Sequence, residues 1–117
     1  MPRYITSVEL SEQAFLILSA LADRPRHGYA LITEVSSMTG GRVTLRAGTL
    51  YGALDRLAGQ GLVRADREEV ENGRLRRYYA LTDTGAEALK VQTERMEAAA
   101  RVARERLALR PRFGGAT

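Results

Sequence analysis

Apolar side chains are nearly continuous through Phe15, Leu16, Ile17, Leu18, Ala20 and Leu21, and Ser11 ahead of them is a residue type that caps helix N-termini. The run predicts a helix over 13–21 with apolar residues on nearly every face, as in a helix set in the middle of a small core. Asp23-Arg24-Pro25-Arg26 ends it, because Pro25 has no amide hydrogen and pushes the preceding residue out of the α region. Leu31, Val35 and Met38 then recur at four and three residues, predicting a one-sided helix over 27–38 that stops at Thr39-Gly40-Gly41. Residues 42–45 leave room for a short strand at most. A third helix over 47–60 aligns Leu50, Leu54 and Leu57 toward the core, with Gly61 just past its end.

At about 100° per residue, Gly48, Gly52, Asp55 and Gly59 share the opposite side of that helix, flanked by Thr49, Tyr51 and Arg56. Each glycine disfavours the helix by roughly 1 kcal/mol relative to alanine. Either a partner must approach this backbone closely, or nothing on an exposed surface selects against glycine. Residues 62–67 and 75–81 then read as two strands, with 68–73 as a loop holding the turn dipeptide Asn72-Gly73. Period two puts Leu75, Tyr79 and Leu81 on one face, with Arg76 and Tyr78 on the other. The first half is acidic at Asp66, Glu68, Glu69 and Glu71, whereas Arg74, Arg76 and Arg77 occupy the tip and return. Thr84 and Glu87 fit a capping box opening a helix over 83–109, on the order of 39 Å long. Its stripe of Ala86, Leu89, Thr93, Met96, Ala100, Ala103 and Leu107 is longer than so small a domain can cover. A second copy is the expected cover, with Leu89, Met96, Ala100, Ala103 and Leu107 in the dimer interface.

Composition narrows the chemistry. A chain of 117 residues, 44% hydrophobic, supports one compact domain with an appendage and not two cores. The expected division is a helix-and-hairpin domain over 1–82, a dimerisation helix over 83–109 and a frayed tail over 110–117. There is no cysteine for a disulfide or a thiolate metal site, and a single histidine, His27, is too few for a triad or a multi-histidine site. No Gly-rich phosphate loop or nucleophile–base pair is present, so neither an enzyme nor a cofactor is expected. No run is apolar enough for a membrane span, and the acidic start is unlike a secretory leader, which predicts a cytoplasmic protein. All but one of the 18 basic residues are arginine, Lys90 being the exception. Arginine's planar fork suits phosphates and the guanine edge, although genomic base composition also produces such a bias. The excess of positive charge is small and spread evenly on both sides of Leu81, so any charge that binds nucleic acid must be local.

Three helices, a hairpin and a long helix are the order of a winged helix-turn-helix: mainly α, with a small β-hairpin as wing. In that arrangement the third helix fits the major groove of double-stranded DNA and the wing reaches the adjacent backbone. The candidate DNA-binding residues are Tyr29, Arg46, Thr49, Tyr51, Gly52, Arg56, Arg74, Arg76 and Arg77. Tyr29 either meets a phosphate through its hydroxyl or packs beneath the hairpin. His27 is expected to help start the second helix, and at least one of Tyr78 and Tyr79 to sit in the core. Met38 and Met96 are expected in the core or an interface.

Four segments together resemble the PadR family of transcriptional regulators: Pro25-Arg26-His27-Gly28-Tyr29, Gly48-Thr49-Leu50-Tyr51-Gly52-Ala53-Leu54-Asp55-Arg56-Leu57, Gly61-Leu62-Val63 and Arg76-Arg77-Tyr78-Tyr79-Ala80-Leu81-Thr82. The resemblance covers about residues 11–90. It implies a homodimeric repressor on an inverted-repeat operator, of the compact kind with one long C-terminal helix. Some members are released by a small aromatic or drug-like effector. The chain departs from the family pattern at Ala30, where an acidic residue is common, and at Arg46-Ala47, where Ser-Pro is common. Relatives that bind flat drugs use an aromatic residue on the long helix, and 83–109 has none; Tyr4 or Phe15 would have to serve instead. A winged-helix adaptor that binds protein is the alternative, and it would expose an apolar patch where a DNA-binding member carries its arginines.

Overall fold

The computed structural model describes residues 9–112. Helix α1 (Glu12–Ala20) begins where Ser11 Oγ accepts the Ala14 amide at 3.1 Å, and it buries Ile17, Leu18 and Ala20. A two-residue strand, β1 (Arg26–His27), leads into α2 (Gly28–Met38). His27 caps that helix, its Nδ1 accepting the Ala30 amide at 3.2 Å, which gives the histidine the structural role expected of it. Leu31 and Val35 are fully buried, but Met38 is 42% exposed, because α2 ends there and the chain turns away through Gly40 and Gly41. Residues 42–45 form no strand and contribute Leu45 to the core.

Helix α3 (Ala47–Gly59) buries Leu50, Ala53, Leu54 and Leu57 against α1 and α2. Gly61 follows at φ +77°, a left-handed conformation that favours glycine. The hairpin comprises β2 (Val63–Glu71) and β3 (Arg74–Leu81), and β1 joins the far edge of β3 to give an antiparallel sheet in the order β1-β3-β2. Two expectations are corrected here. The supposed loop 68–73 is strand as far as Glu71, and only Asn72 (φ +52°) and Gly73 (φ +77°) turn the chain. The sheet also has a third strand, β1, whose Arg26 and His27 pair with Tyr79 and Tyr78. Tyr79 is buried and Tyr78 half-buried, while Leu75 lies beyond the core and is exposed.

Helix α4 (Asp83–Ala108) is capped by Thr82, not Thr84. The Thr82 hydroxyl accepts the Gly85 amide at 2.9 Å and donates to the Gly61 carbonyl at 2.6 Å, tying the helix start to the end of α3. Gly85 and Ala88 are buried against the domain. One turn on, the Gln92 amide accepts from the Leu10 N–H and donates to the Leu10 carbonyl, both at 2.9 Å. Beyond Thr93 the helix leaves the core, and Met96, Val102, Leu107 and Leu109 are all about half or more exposed. Residues 110–112 are non-helical; Tyr4 and the rest of the tail lie outside the described residues.

Candidate nucleic-acid interface

The outward side of α3 carries almost no side-chain bulk. A Cβ at Gly48 or Gly59 would meet nothing within 4 Å, and at Gly52 it would meet only Arg56 Nη1, at 3.7 Å. Arg56 therefore lies over the space that Gly52 leaves, with its donor fork on the exposed side. Thr49 and Arg46 are also exposed, and Arg46 caps α3 in backbone conformation only, so no side chain among the described residues hydrogen-bonds to the first-turn amides of Ala47, Gly48 and Thr49. An uncapped helix start offers N–H donors and a positive dipole end to an anion.

Tyr51 flanks the same face, but its ring is also engaged elsewhere. It packs on buried Gly28, where a Cβ would run into the Tyr51 hydroxyl and stand 2.8 Å from Cζ. This contact joins two of the motifs, His27-Gly28-Tyr29 and Thr49-Leu50-Tyr51, and explains the glycine at the start of α2. Tyr29 is 61% exposed, with the Arg76 guanidinium 5.3 Å from its ring centre, so packing under the hairpin and access to solvent coexist at this residue.

The register of the hairpin divides its arginines. Glu71 pairs with Arg74, Val70 with Leu75, Glu69 with Arg76 and Glu68 with Arg77. Arg74 and Arg76 thus lie on one face, while Arg77 and Leu75 lie on the other. That second face and α3 enclose a groove of about 390 Å³ lined by Tyr51, Asp55, Glu68, Leu75, Arg77 and Tyr79. Arg77 Nε donates to Glu68 at 3.2 Å. Arg76 Nε stands 3.7 Å from Glu71 without forming a hydrogen bond, and its side chain is largely covered. Arg74 has no acidic partner among the described residues. Lower on the hairpin, Arg67 bonds to Glu69 and Asp66 and stacks over Tyr78 at 4.0 Å. The Asp66 carboxyl is held below its ordinary range by hydrogen bonds from Arg64 and Arg67. The Glu71 carboxyl is also lowered, first by the Tyr78 hydroxyl donating to it and then by nearby His27 and Arg76. The wing is thus a ladder of paired charges, and the roles of Glu68 and Glu71 as arginine partners were missed in the sequence reading. Their signal was the register set by Asn72-Gly73.

On α4 the stripe residues follow a different logic. Leu89 is half-buried against the core, and with Ala22, Leu81, Ala86, Lys90, Thr93, Glu94 and Glu97 it lines an open groove of about 470 Å³. Met96, Ala103 and Leu107 are exposed on the same side and Ala100 is half-buried. Val102 and Leu109 fall on the opposite side of the helix, outside the stripe.

Comparison with known proteins agrees with this geometry. The family model described as "Transcriptional regulator PadR-like family" matches residues 17–91. A transcriptional regulator of Mycobacterium tuberculosis is 42% identical over 85 residues, which is 73% of this chain and 76% of that protein. Of three other curated relatives the match spans 23%, 64% and 40% of their length. The crystal structure of a PadR family transcription regulator from Clostridium difficile aligns at TM-score 0.67 and 26% identity, covering 83% of this chain and 99% of that one. The Bacillus subtilis PadR structure, solved in complex with operator DNA, shares the fold at TM-score 0.60 and 21% identity, covering 68% of this chain and 46% of that one.

Proposed function

Because the chain belongs to the PadR-like family of transcriptional regulators, we propose that it binds operator DNA and represses transcription as a homodimer on an inverted repeat. The observation that carries this reading is the outward side of α3: three glycines, an uncapped first turn, and Arg56 laid across Gly52. A face where glycines leave little side-chain bulk lets backbone approach the major groove, and the free first-turn amides suit a phosphate oxygen. Tyr51 and Thr49 border that face, with Tyr29 and Arg46 at the nearby starts of α2 and α3. The hairpin supplies Arg74 directly, and Arg76 and Arg77 once phosphate competes with their acidic partners.

The dimer is argued from α4. Its exposed stripe, Met96, Ala100, Ala103 and Leu107, continues from Leu89 and is small enough for close helix approach. Two such subunits related by a two-fold axis match half-sites about 34–36 Å apart. An aromatic effector would have to stack on a ring outside α4, since that helix has none; Phe15 is already packed against the core. No helix among the described residues is long and apolar enough to cross a membrane.

Fluorescence anisotropy tests the reading. The protein is titrated against a labelled duplex from upstream of its own gene and a scrambled duplex, at two salt concentrations. Salt-sensitive binding that prefers the native duplex is expected. A protein-binding hairpin is the second reading, and the exposed cross-strand pair Val70 and Leu75 favours it. Weak, equal binding to both duplexes would favour that alternative.

The salt dependence also reports on the wing. Arg74→Ala is expected to lower affinity on every sequence and to reduce the salt slope by about 2, one phosphate contact from each subunit of the dimer. The Arg74/Arg76/Arg77 triple alanine variant should reduce it by about 4 to 5 if phosphate displaces Glu68 and Glu71. A triple variant no flatter than Arg74→Ala would show that the carboxylates keep their arginines, and an unchanged slope would remove the wing from the mechanism.

A further inference from the structure

We propose that Asp55 is a specificity-determining residue that accepts a hydrogen bond from the N4 amino group of a cytosine in the major groove. The inference rests on the DNA-binding reading above and adds a base to it. Asp55 lies in the middle of the outward side of α3, among Gly48, Gly52 and Gly59, so it is the polar side chain that projects from the centre of that face. It is exposed and forms no hydrogen bond or ion pair with any described residue. The other carboxylates near this surface differ in that respect: Asp66, Glu68, Glu69 and Glu71 each stand within 4 Å of an arginine nitrogen. Arg77, which lines the same groove as Asp55, is bound to Glu68.

A carboxylate carried toward DNA without a cation meets the negative potential of the phosphates. Only a base donor can offset that repulsion. In the major groove the donors are adenine N6 and cytosine N4, and adenine places the N7 acceptor beside its amino group. A carboxylate is repelled by that N7, and by thymine O4 and the O6 and N7 of guanine. Cytosine alone offers an amino group with no acceptor on the same base edge. Arg56, the next residue, presents the complementary fork for guanine. The site should therefore contain a C·G pair opposite the middle of α3.

The test is selection from a randomised duplex library with the full chain and with Asp55→Ala and Asp55→Asn. The parent protein should enrich a half-site with one fixed cytosine, and replacing that cytosine should weaken binding by about 10-fold to 100-fold. Asp55→Ala should lose the preference at that position alone and bind scrambled duplex more tightly than the parent. Asp55→Asn should move the preference to adenine, whose N6 and N7 an asparagine amide matches. A parent motif that Asp55→Ala leaves unchanged overturns this inference while DNA recognition stands. If the parent enriches no sequence, both fall. Circular dichroism melts should show Asp55→Ala and Asp55→Asn no less stable than the parent, since Asp55 forms no hydrogen bond or ion pair with a described residue.

Discussion

The Gly85→Ala variant is expected to unfold on the order of 10 °C below the parent, a loss of about 2–3 kcal/mol. Gly85 is the third residue of α4 and is packed directly on Leu62, between α3 and β2. A Cβ there would drive into the Leu62 carbonyl oxygen and stand 2.7 Å from Leu81 Cδ1 and 3.0 Å from the Leu62 carbonyl carbon. Two of those atoms belong to backbone that cannot rotate aside. The same backbone is fixed from the other direction, because the Thr82 amide donates to that Leu62 carbonyl at 3.1 Å. Relief requires α4 to lift away from the domain, which loosens Ala88 as well. Gly59→Ala is the control: its Cβ would enter open space, so the variant should gain up to about 1 kcal/mol from helix propensity. Thermal denaturation followed by circular dichroism separates the two. An unchanged midpoint for Gly85→Ala would mean that the start of α4 slides freely on the domain.

Glutamates at Met96 and Ala103 together are expected to split the proposed dimer and weaken operator binding by about 100-fold. Both positions are exposed in the single chain, so the substitutions leave the winged-helix core intact. In a dimer they would place four carboxylates in one apolar seam. Light scattering should report one 12.9 kDa chain per particle where the parent reports two. The affinity loss follows from geometry: half-sites held together present the second domain at a high local concentration, and separated subunits forfeit it. A parent protein that is itself monomeric, or a double variant that still dimerises, would remove α4 from the assembly.

The parts of this fold that were legible in the sequence are those with a local cause. Ser11 caps α1, Leu50, Leu54 and Leu57 bury one side of α3, and Asn72-Gly73 turns the hairpin, each as its residue type and spacing predict. The strand β1 was not legible because two residues carry no period; Arg26 and His27 are strand only because β3 has a free edge beside them. The length of the hairpin was misread for an electrostatic reason. Glu68, Glu69 and Glu71 look like loop residues in isolation, yet Arg67 and Arg77 bind two of them and the Tyr78 hydroxyl binds the third. Thr84 carries the stronger sequence signal, because Glu87 completes a capping box with it, and the choice of Thr82 follows from its second hydrogen bond to the Gly61 carbonyl. On the candidate site, the face of α3 followed from helical periodicity, whereas which hairpin arginines are paired depended on cross-strand register.

The double hydrogen bond between Gln92 and Leu10 bears on how far the chain can be treated as modular. The side-chain amide grips both polar groups of one backbone residue, as a neighbouring strand would, so the segment leading into α1 is fastened to the long helix. A chimera that grafts the α4 of one relative onto the winged helix of another would therefore need more than a matching apolar stripe. It must also bring an amide of glutamine length to position 92, because asparagine is one methylene too short to reach both groups. Without it the graft would have a hinge where this protein has a brace, and the spacing between the two heads of the proposed dimer would no longer be fixed.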